Sequence, residues 1–413
     1  MKKLLALLLT LVMAVSVVAV APTVSAEETV YTSGDFQYVK LNDKNIRITK
    51  YIGEDFEVVI PKKIDNLTVT ETGAEILPSH NDVVSITFPD TITKMNKYTF
   101  DYANKVEKVH LSNGITELPY LYNCRRLYSL TIPPKVKSIG FSDLPIYTGT
   151  LILGKGVQEL NEGRRESEIF TAQYINLEKI KVSRNNKYFS SKDGILYNKN
   201  KTKIIACPQK NPIYKFTVPK SVKIIGKLAF YKQDNLERIT FSKNVKTIEF
   251  SAFEKCKMLE IINIPKNITK IGGWAFSDCQ YVEKLKIDAN KNLKIYNGAF
   301  SGLTFLDTLK VPNVSGNYVF EYCNTLDNIT IPKDVKRIRR GQFYHCWGLM
   351  KVTIPKTVKK IEPYAFGYYC YEVGQYDYKP KKIKGFTIRG YKGSAGEKYA
   401  KQNGFKFVKI SWY

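Results

Sequence analysis

Apolar residues return along this chain at one long, fixed interval. Phe230, Phe253, Phe276, Phe300, Phe320, Phe343 and Phe366 follow each other at a step of roughly 23 residues, shortened once between Phe300 and Phe320. Four of them open a Phe-x-x-Cys tetrad, ending at Cys256, Cys279, Cys323 and Cys346. A second motif keeps the same period: Leu259-x-x-Ile262-x-Ile264-Pro265, Leu326-x-x-Ile329-x-Ile331-Pro332 and Leu349-x-x-Val352-x-Ile354-Pro355. A third, Val-x-x-Ile, follows it, as at Val222/Ile225, Val245/Ile248 and Val358/Ile361.

Each motif predicts an element. The last two apolar residues of Leu-x-x-Ile-x-Ile alternate with polar ones, which is the period of a strand with one buried face. Proline then ends the hydrogen bonding and turns the chain. Val-x-x-Ile returns a second apolar edge to the interior, and the Phe closes the coil. One such coil has nothing to bury its apolar edges against, so the pattern predicts a stack of coils with strands about 4.8 Å apart. Weaker copies reach toward the N-terminus at Ile86-x-Phe88-Pro89, Val109-x-Leu111, Leu130-x-Ile132-Pro133, Leu151-x-Leu153, Ile180-x-Val182 and Phe216-x-Val218-Pro219. About fourteen coils would form a rod roughly 60 to 70 Å long.

The N-terminus changes the expected compartment. Lys2 and Lys3 precede an apolar run over 4–20, Pro22 breaks it, and Val24-Ser25-Ala26 offers small side chains before Glu27-Glu28. This is the pattern of a secretory signal over 1–26. No later stretch approaches the roughly 20 apolar residues of a membrane span, and 405–413 lacks the pattern of a wall-sorting signal. The formal charge of +26 favours anionic partners. In an exported protein these would be wall polymers, acidic glycans or membrane surfaces rather than nucleic acid. Seven cysteines raise the question of disulfides. Their place in a repeat column predicts stacked, buried thiols, because parallel side chains hold Cβ atoms farther apart than the about 3.8 Å of a disulfide.

The Ile-Pro, Val-x-x-Ile and Ala-Phe-x-x-Cys pattern resembles the BspA-type leucine-rich repeat family of bacterial surface and secreted proteins. The resemblance implies a leucine-rich-repeat solenoid, β-rich with short helical turns, of about 14 coils of about 23 residues each. It implies an N-terminal β cap over 27–78, the solenoid over 79–390 and a C-terminal helix and strand cap over 391–413. Within the solenoid it implies a hairpin inserted at 185–210, and the period is broken by irregular loops at 141–174 and 367–384. In the closing cap, Ser394-x-x-Glu397 is a capping box that opens a helix, and Asn403-Gly404 ends it. For function the resemblance implies extracellular binding or adhesion, with no ligand specified.

Catalytic and metal signatures are missing from the sequence. The three histidines, His80, His110 and His345, form no His-x-x-x-His pair, and no Cys-x-x-Cys, Gly-x-Ser-x-Gly or complete Gly-x-x-x-x-Gly-Lys-Ser/Thr motif occurs. His345 adjoins Cys346, but Cys346 stands in the column assigned to the core. No cofactor or metal is expected.

Candidate binding residues lie instead at the two outward positions of each strand. Across thirteen coils these include Lys108, Lys179, Lys181, Lys215, Arg238, Lys284, Lys286, Lys310 and Lys351. They also include Thr87, Thr131, Thr150, Thr217, Thr240, Thr308, Thr330, Thr353 and Thr387. None of these positions is acidic; acids gather one residue earlier, at Glu107, Glu178, Glu237, Glu260, Glu283, Asp307 and Asp327. Plain strand chemistry also selects Thr and Lys. The loop at 367–384 adds Tyr368, Tyr369, Tyr371, Tyr376 and Tyr378, either as a recognition surface or as a cover over the open end of the core. The loop at 141–174 carries Glu162-Gly163-Arg164-Arg165-Glu166.

The sequence therefore predicts a monomeric, non-enzymatic extracellular protein that binds a host protein, a glycan or an anionic wall polymer. A glycan-active enzyme with its site at 141–174 and a passive surface spacer are the alternatives.

Overall fold

The computed structural model describes residues 28–79, 82–140, 143–145, 147–160, 176–288, 290–374 and 377–410, and the side chains of 371–378 lie outside that description. The expected signal segment and residues 161–175 of the irregular coil also lie outside it. The chain is a β-solenoid of about 15 turns with a single C-terminal helix among the described residues.

Most turns contribute two strands. The Leu-x-x-Ile-x-Ile segments form a major ladder, in which parallel pairing aligns Arg238–Thr240, Ile261–Ile264 and Lys284–Ile287 in step, Ile262 opposite Leu285 and Ile264 opposite Ile287. The Val-x-x-Ile segments form a minor ladder of two-residue strands: Ile224–Ile225, Thr247–Ile248, Lys270–Ile271 and Lys294–Ile295 pair in parallel register. Buried apolar side chains fill the space between the ladders.

The phenylalanine column is a continuous ring stack. Successive rings from Phe230 to Phe366 lie 4.9, 5.0, 5.4, 5.6, 5.6 and 5.2 Å apart, all but the first pair within 12° of parallel. The cysteines satisfy backbone beside it: Cys256, Cys279 and Cys346 donate their thiols to the carbonyls of Phe230, Phe253 and Phe320 in the preceding coil, at 2.9, 3.1 and 3.1 Å. Burial pushes the Cys279 and Cys346 thiols well above the ordinary range, so they stay protonated donors. All seven cysteines are free.

Closing each coil demands unusual backbone. Leu228, Ser251, Trp274, Tyr318 and Tyr364 occupy one column at φ between 50° and 58°, shared with Gly298 and Gly341. Their N–H groups reach the next coil, as Trp274 N to Asn297 O at 3.0 Å and Tyr318 N to Arg340 O at 3.0 Å. The inter-coil bond holds each residue in a left-handed conformation that only glycine adopts freely.

Three antiparallel strands, Val30–Ser33, Phe36–Lys40 and Asn45–Tyr51, cover the N-terminal end, and Asn45–Tyr51 hands over to parallel pairing with Leu67–Thr72. At the other end the helix Ala395–Asn403 packs over the last coils. Ser394 caps its start, the Glu397 carboxylate accepts from Gly393 N at 2.6 Å, and Gly404 at φ 65° ends it.

Candidate functional site

The major ladder is not continuous. Hydrogen bonding breaks between Lys108–His110 and Ser129–Thr131, at the hairpin before Lys215–Thr217, between Lys284–Ile287 and Thr308–Lys310, and again before Lys351–Thr353. At the first break the strand face opens into a groove of about 760 Å³. Its walls include Lys108, His110, Arg126, Tyr128 and Thr131 from the two unpaired strands and the turns beside them. Arg126 pairs with Glu107 at 3.8 Å.

The basic residues expected to face outward are placed on this face. Lys108, Lys179, Lys181, Arg238, Lys284, Lys286, Lys310 and Lys351 are all exposed. Lys286 meets Asp288 at 3.5 Å, and among the described residues none of the other seven makes an ion pair. By their place in the repeat they form two files, Lys108, Lys179, Arg238, Lys284 and Lys351 at the first outward position and Lys181, Lys286 and Lys310 at the second, and parallel pairing through Ile261 aligns Arg238 with Lys284 within one ladder segment.

One expected outward threonine is buried. Thr150 lies in the coil whose preceding residue is Gly149 rather than an acid. The Tyr128 ring lies directly against Gly149, where a Cβ would come within 2.4 Å of it, and Tyr128 reaches over this coil to hydrogen-bond Glu178 at 2.9 Å. The bridge removes Thr150 from the surface.

Of the loop tyrosines, the structure places the side chains of Tyr368 and Tyr369. Residues Tyr368–Gly374 and Asp377–Lys382 form an antiparallel hairpin. Tyr368 faces inward: it is buried, packs edge-on against Tyr364 and Phe405, and donates to Asn403 Oδ1 at 2.7 Å. It seals the last coil to the closing cap and is not available to a ligand. Tyr369 is half-buried against Trp347, 4.3 Å between centroids. The side chains of Tyr371, Tyr376 and Tyr378 lie outside the described residues.

His345 meets a cysteine that is not its neighbour in sequence. The His345 Nε2 stands 2.7 Å from Cys370 Sγ and accepts the Cys370 backbone N–H at 2.7 Å, while Cys346 points into the core toward Phe320 O. Tyr322 stacks on the imidazole at 4.3 Å. Burial lowers the His345 pKa, and accepting a backbone N–H requires Nε2 to be unprotonated, so both point to neutral imidazole. Cys370 follows Cys346 by one coil but stands outside any Phe-x-x-Cys tetrad, so no motif marked it. Among the described residues no group of three or more His, Cys, Asp or Glu could hold a metal ion.

The two-ladder coil with a Phe/Cys interior defines a class of repeat protein, and comparison with known proteins gives the family. The model for the BspA type leucine rich repeat region matches in six copies over residues 26–143, 206–315 and 314–385. This chain belongs to that family. A leucine-rich repeat protein from Bacteroides ovatus is 18% identical in sequence, with a TM-score of 0.62 over 92% of this chain and 100% of its own. One from Eubacterium ventriosum is 24% identical, with a TM-score of 0.52 over 82% of this chain and 94% of its own. Both are likenesses of fold. No curated protein matches the sequence.

Proposed function

We propose that this protein is exported, works at a bacterial surface or beyond it, and is a non-enzymatic binding protein whose major strand face holds a polyanionic ligand. The observation that carries this reading is the double file of exposed basic residues, seven of eight without an ion pair among the described residues, on a ladder whose first break opens a groove between Lys108 and Arg126. Family membership and the N-terminal signal pattern support the location. The described residues contain no helix long and apolar enough to cross a membrane.

Files of cations spaced by coil repeats suit an extended polymer such as an acidic wall polymer or a sulfated glycan. Exposed threonines between them, Thr217, Thr240, Thr330 and Thr353, offer hydrogen-bond donors. Each exposed contact is weak, so affinity has to come from many at once and falls steeply with salt.

The test replaces Lys284, Lys286, Lys310 and Lys351 together with glutamine and follows retention on purified wall and on a heparin-like polymer across a salt series. Folding stays intact, and the variant elutes at lower salt than the parent. Equal retention at low salt removes this face from the mechanism.

A further inference from the structure

A second recessed surface lies beyond the minor ladder, where the chain turns from Lys270–Ile271 into the phenylalanine column. Its volume is about 540 Å³, and Lys227, Glu249, Phe250, Lys270, Gly273, Trp274 and Tyr296 are among the residues that line it. Three of these are aromatic side chains left in solvent: Phe250 is 39% exposed, Trp274 45% and Tyr296 38%. Phe250 and Tyr296 stand two coils apart, and the coil between them carries Gly272-Gly273 where its neighbours carry Glu249-Phe250 and Tyr296-Asn297. The gap is a notch about 10 Å wide, two coil rises of about 4.8 Å. A Cβ on Gly273 would stand 3.2 Å from Asn297 O and 3.6 Å from the Phe250 ring, so any larger side chain there would occupy the notch.

Trp274 is costly where it stands. It holds φ 50° in the left-handed column that it shares with Leu228, Ser251, Tyr318 and Tyr364 as well as with Gly298 and Gly341. Its indole lies over Gly298, where a Cβ would come within 2.5 Å of Nε1, and it meets Phe250 edge to face at 5.2 Å. A large, half-exposed ring kept in a backbone conformation that favours glycine is strain that burial does not offset.

Charge selects the occupant. The Lys227 ammonium lies 5.5 Å over the Phe250 ring and the Lys270 ammonium 5.7 Å over the Tyr296 ring, placing one cation at each end of the notch. The one acid, Glu249, is engaged by Lys203 at 3.0 Å and by Lys227 N–H at 2.9 Å. Exposed aromatic rings with an ammonium group over two of them suit a pyranose ring carrying a carboxylate.

We infer that the notch at Phe250, Trp274 and Tyr296 is a binding site for an acidic sugar residue, separate from the strand face and independent of the role proposed for it. The sugar's C–H face lies on the rings, and its carboxylate meets Lys270 or Lys227.

The test is titration of a glucuronate-containing tetrasaccharide, its neutral glucose counterpart and inorganic phosphate by calorimetry at constant ionic strength. The parent binds the acidic sugar more tightly than the neutral one, and phosphate weakly or not at all. Trp274→Gly, which the backbone accepts, weakens the acidic sugar about tenfold or more, the size of one aromatic contact, without lowering the melting temperature. Lys270→Gln narrows the preference for the acidic over the neutral sugar. The four-lysine strand-face variant binds as the parent does, which separates the two sites. Unchanged affinity in Trp274→Gly, equal binding of both sugars by the parent, phosphate binding as tightly as the sugar, or no sugar binding at all would each overturn the proposal.

Discussion

The two halves of the solenoid are built to the same pattern but not to the same precision. The apolar interior divides into one core running from Tyr38 to Ala206 and another from Ile195 to Ala400. The C-terminal core has an unbroken stack of phenylalanines and thiols bonded from coil to coil. In the N-terminal core Phe100 meets Phe88 edge-on at 5.7 Å and the next coil offers Leu121 in its place. The major ladder itself breaks in both halves, after Lys108–His110 in the first and after Lys284–Ile287 and before Lys351–Thr353 in the second. A groove of about 760 Å³ opens at the break after Lys108–His110. Regular coils make a rod, and the departures from regularity make recesses. The Gly272-Gly273 notch obeys the same rule within the better half.

The seam between the halves is the antiparallel insertion. Its strands Ile195–Asn198 and Lys203–Ala206 are buried on both faces: Ile195, Tyr197 and Ile204 belong to the C-terminal core, Leu196 and Ile205 to the N-terminal one. Alternate side chains of one strand thus fasten the two cores together.

The largest effect should come from breaking the ring stack. Phe276→Ala removes a fully buried ring that stacks on two neighbours, at a cost of about 3–5 kcal/mol. Loss of amide-exchange protection should spread through neighbouring coils of the C-terminal core and stop at the insertion. Equal loss across 38–182 would show that the halves unfold as one unit and end the comparison. Parent-like melting would remove Phe276 from the core.

The repeat core was legible because its signal is local: Phe253-x-x-Cys256 and Ile264-Pro265 announce their own coil. The candidate sites were less so, since they arise between coils. Thr150 was read as exposed because nothing in its own coil reveals that Tyr128, in the coil before, bridges over it to Glu178 in the coil after. For Tyr368 the sequence left a recognition surface and a core cover both open, because the partners that bury it, Asn403 and Phe405, come only with the closing cap, beyond the hairpin and the last strand. The lysine files could be read, because outward strand positions follow from alternation alone. The notch could not. It needs Phe250, Gly273 and Tyr296 in three successive coils, with an intervening pair of glycines that resembles a turn in sequence.

A smaller effect tests a flaw inside the regular half. Glu321 follows Phe320 at a position occupied by Ser277 and Ser301 in the two coils before, and burial pushes its carboxyl up to about 7. The ordinary value is 4.5, so between the two the native state holds a proton that the unfolded chain has lost. Stability from this group is therefore full below about pH 4.5, falls as pH rises toward 7, and stays lost above it. Glu321→Gln should match the parent at pH 4.5 and exceed it at pH 8 by about 1–2 kcal/mol, a value reduced by partial solvent screening. A difference between the two proteins that does not change with pH would mean the carboxyl is ionised throughout.

The smallest effect leaves stability untouched and separates the cysteines by their place in the pattern. Six are buried, and several donate their thiols to carbonyls of the preceding coil, so in the native rod a soluble maleimide should not reach them. Cys370 falls outside the repeat column, is the one cysteine that is only half-buried, and stands 2.7 Å from His345 Nε2. One thiol should therefore react in the folded protein and all seven in denaturant without reductant. Three thiols reacting at once in the native state would mean that the cysteine column breathes. Blocked pairs in denaturant would mean that the stacked thiols bridge after all, and that the C-terminal half owes its regularity to covalent bonds rather than to the ring stack.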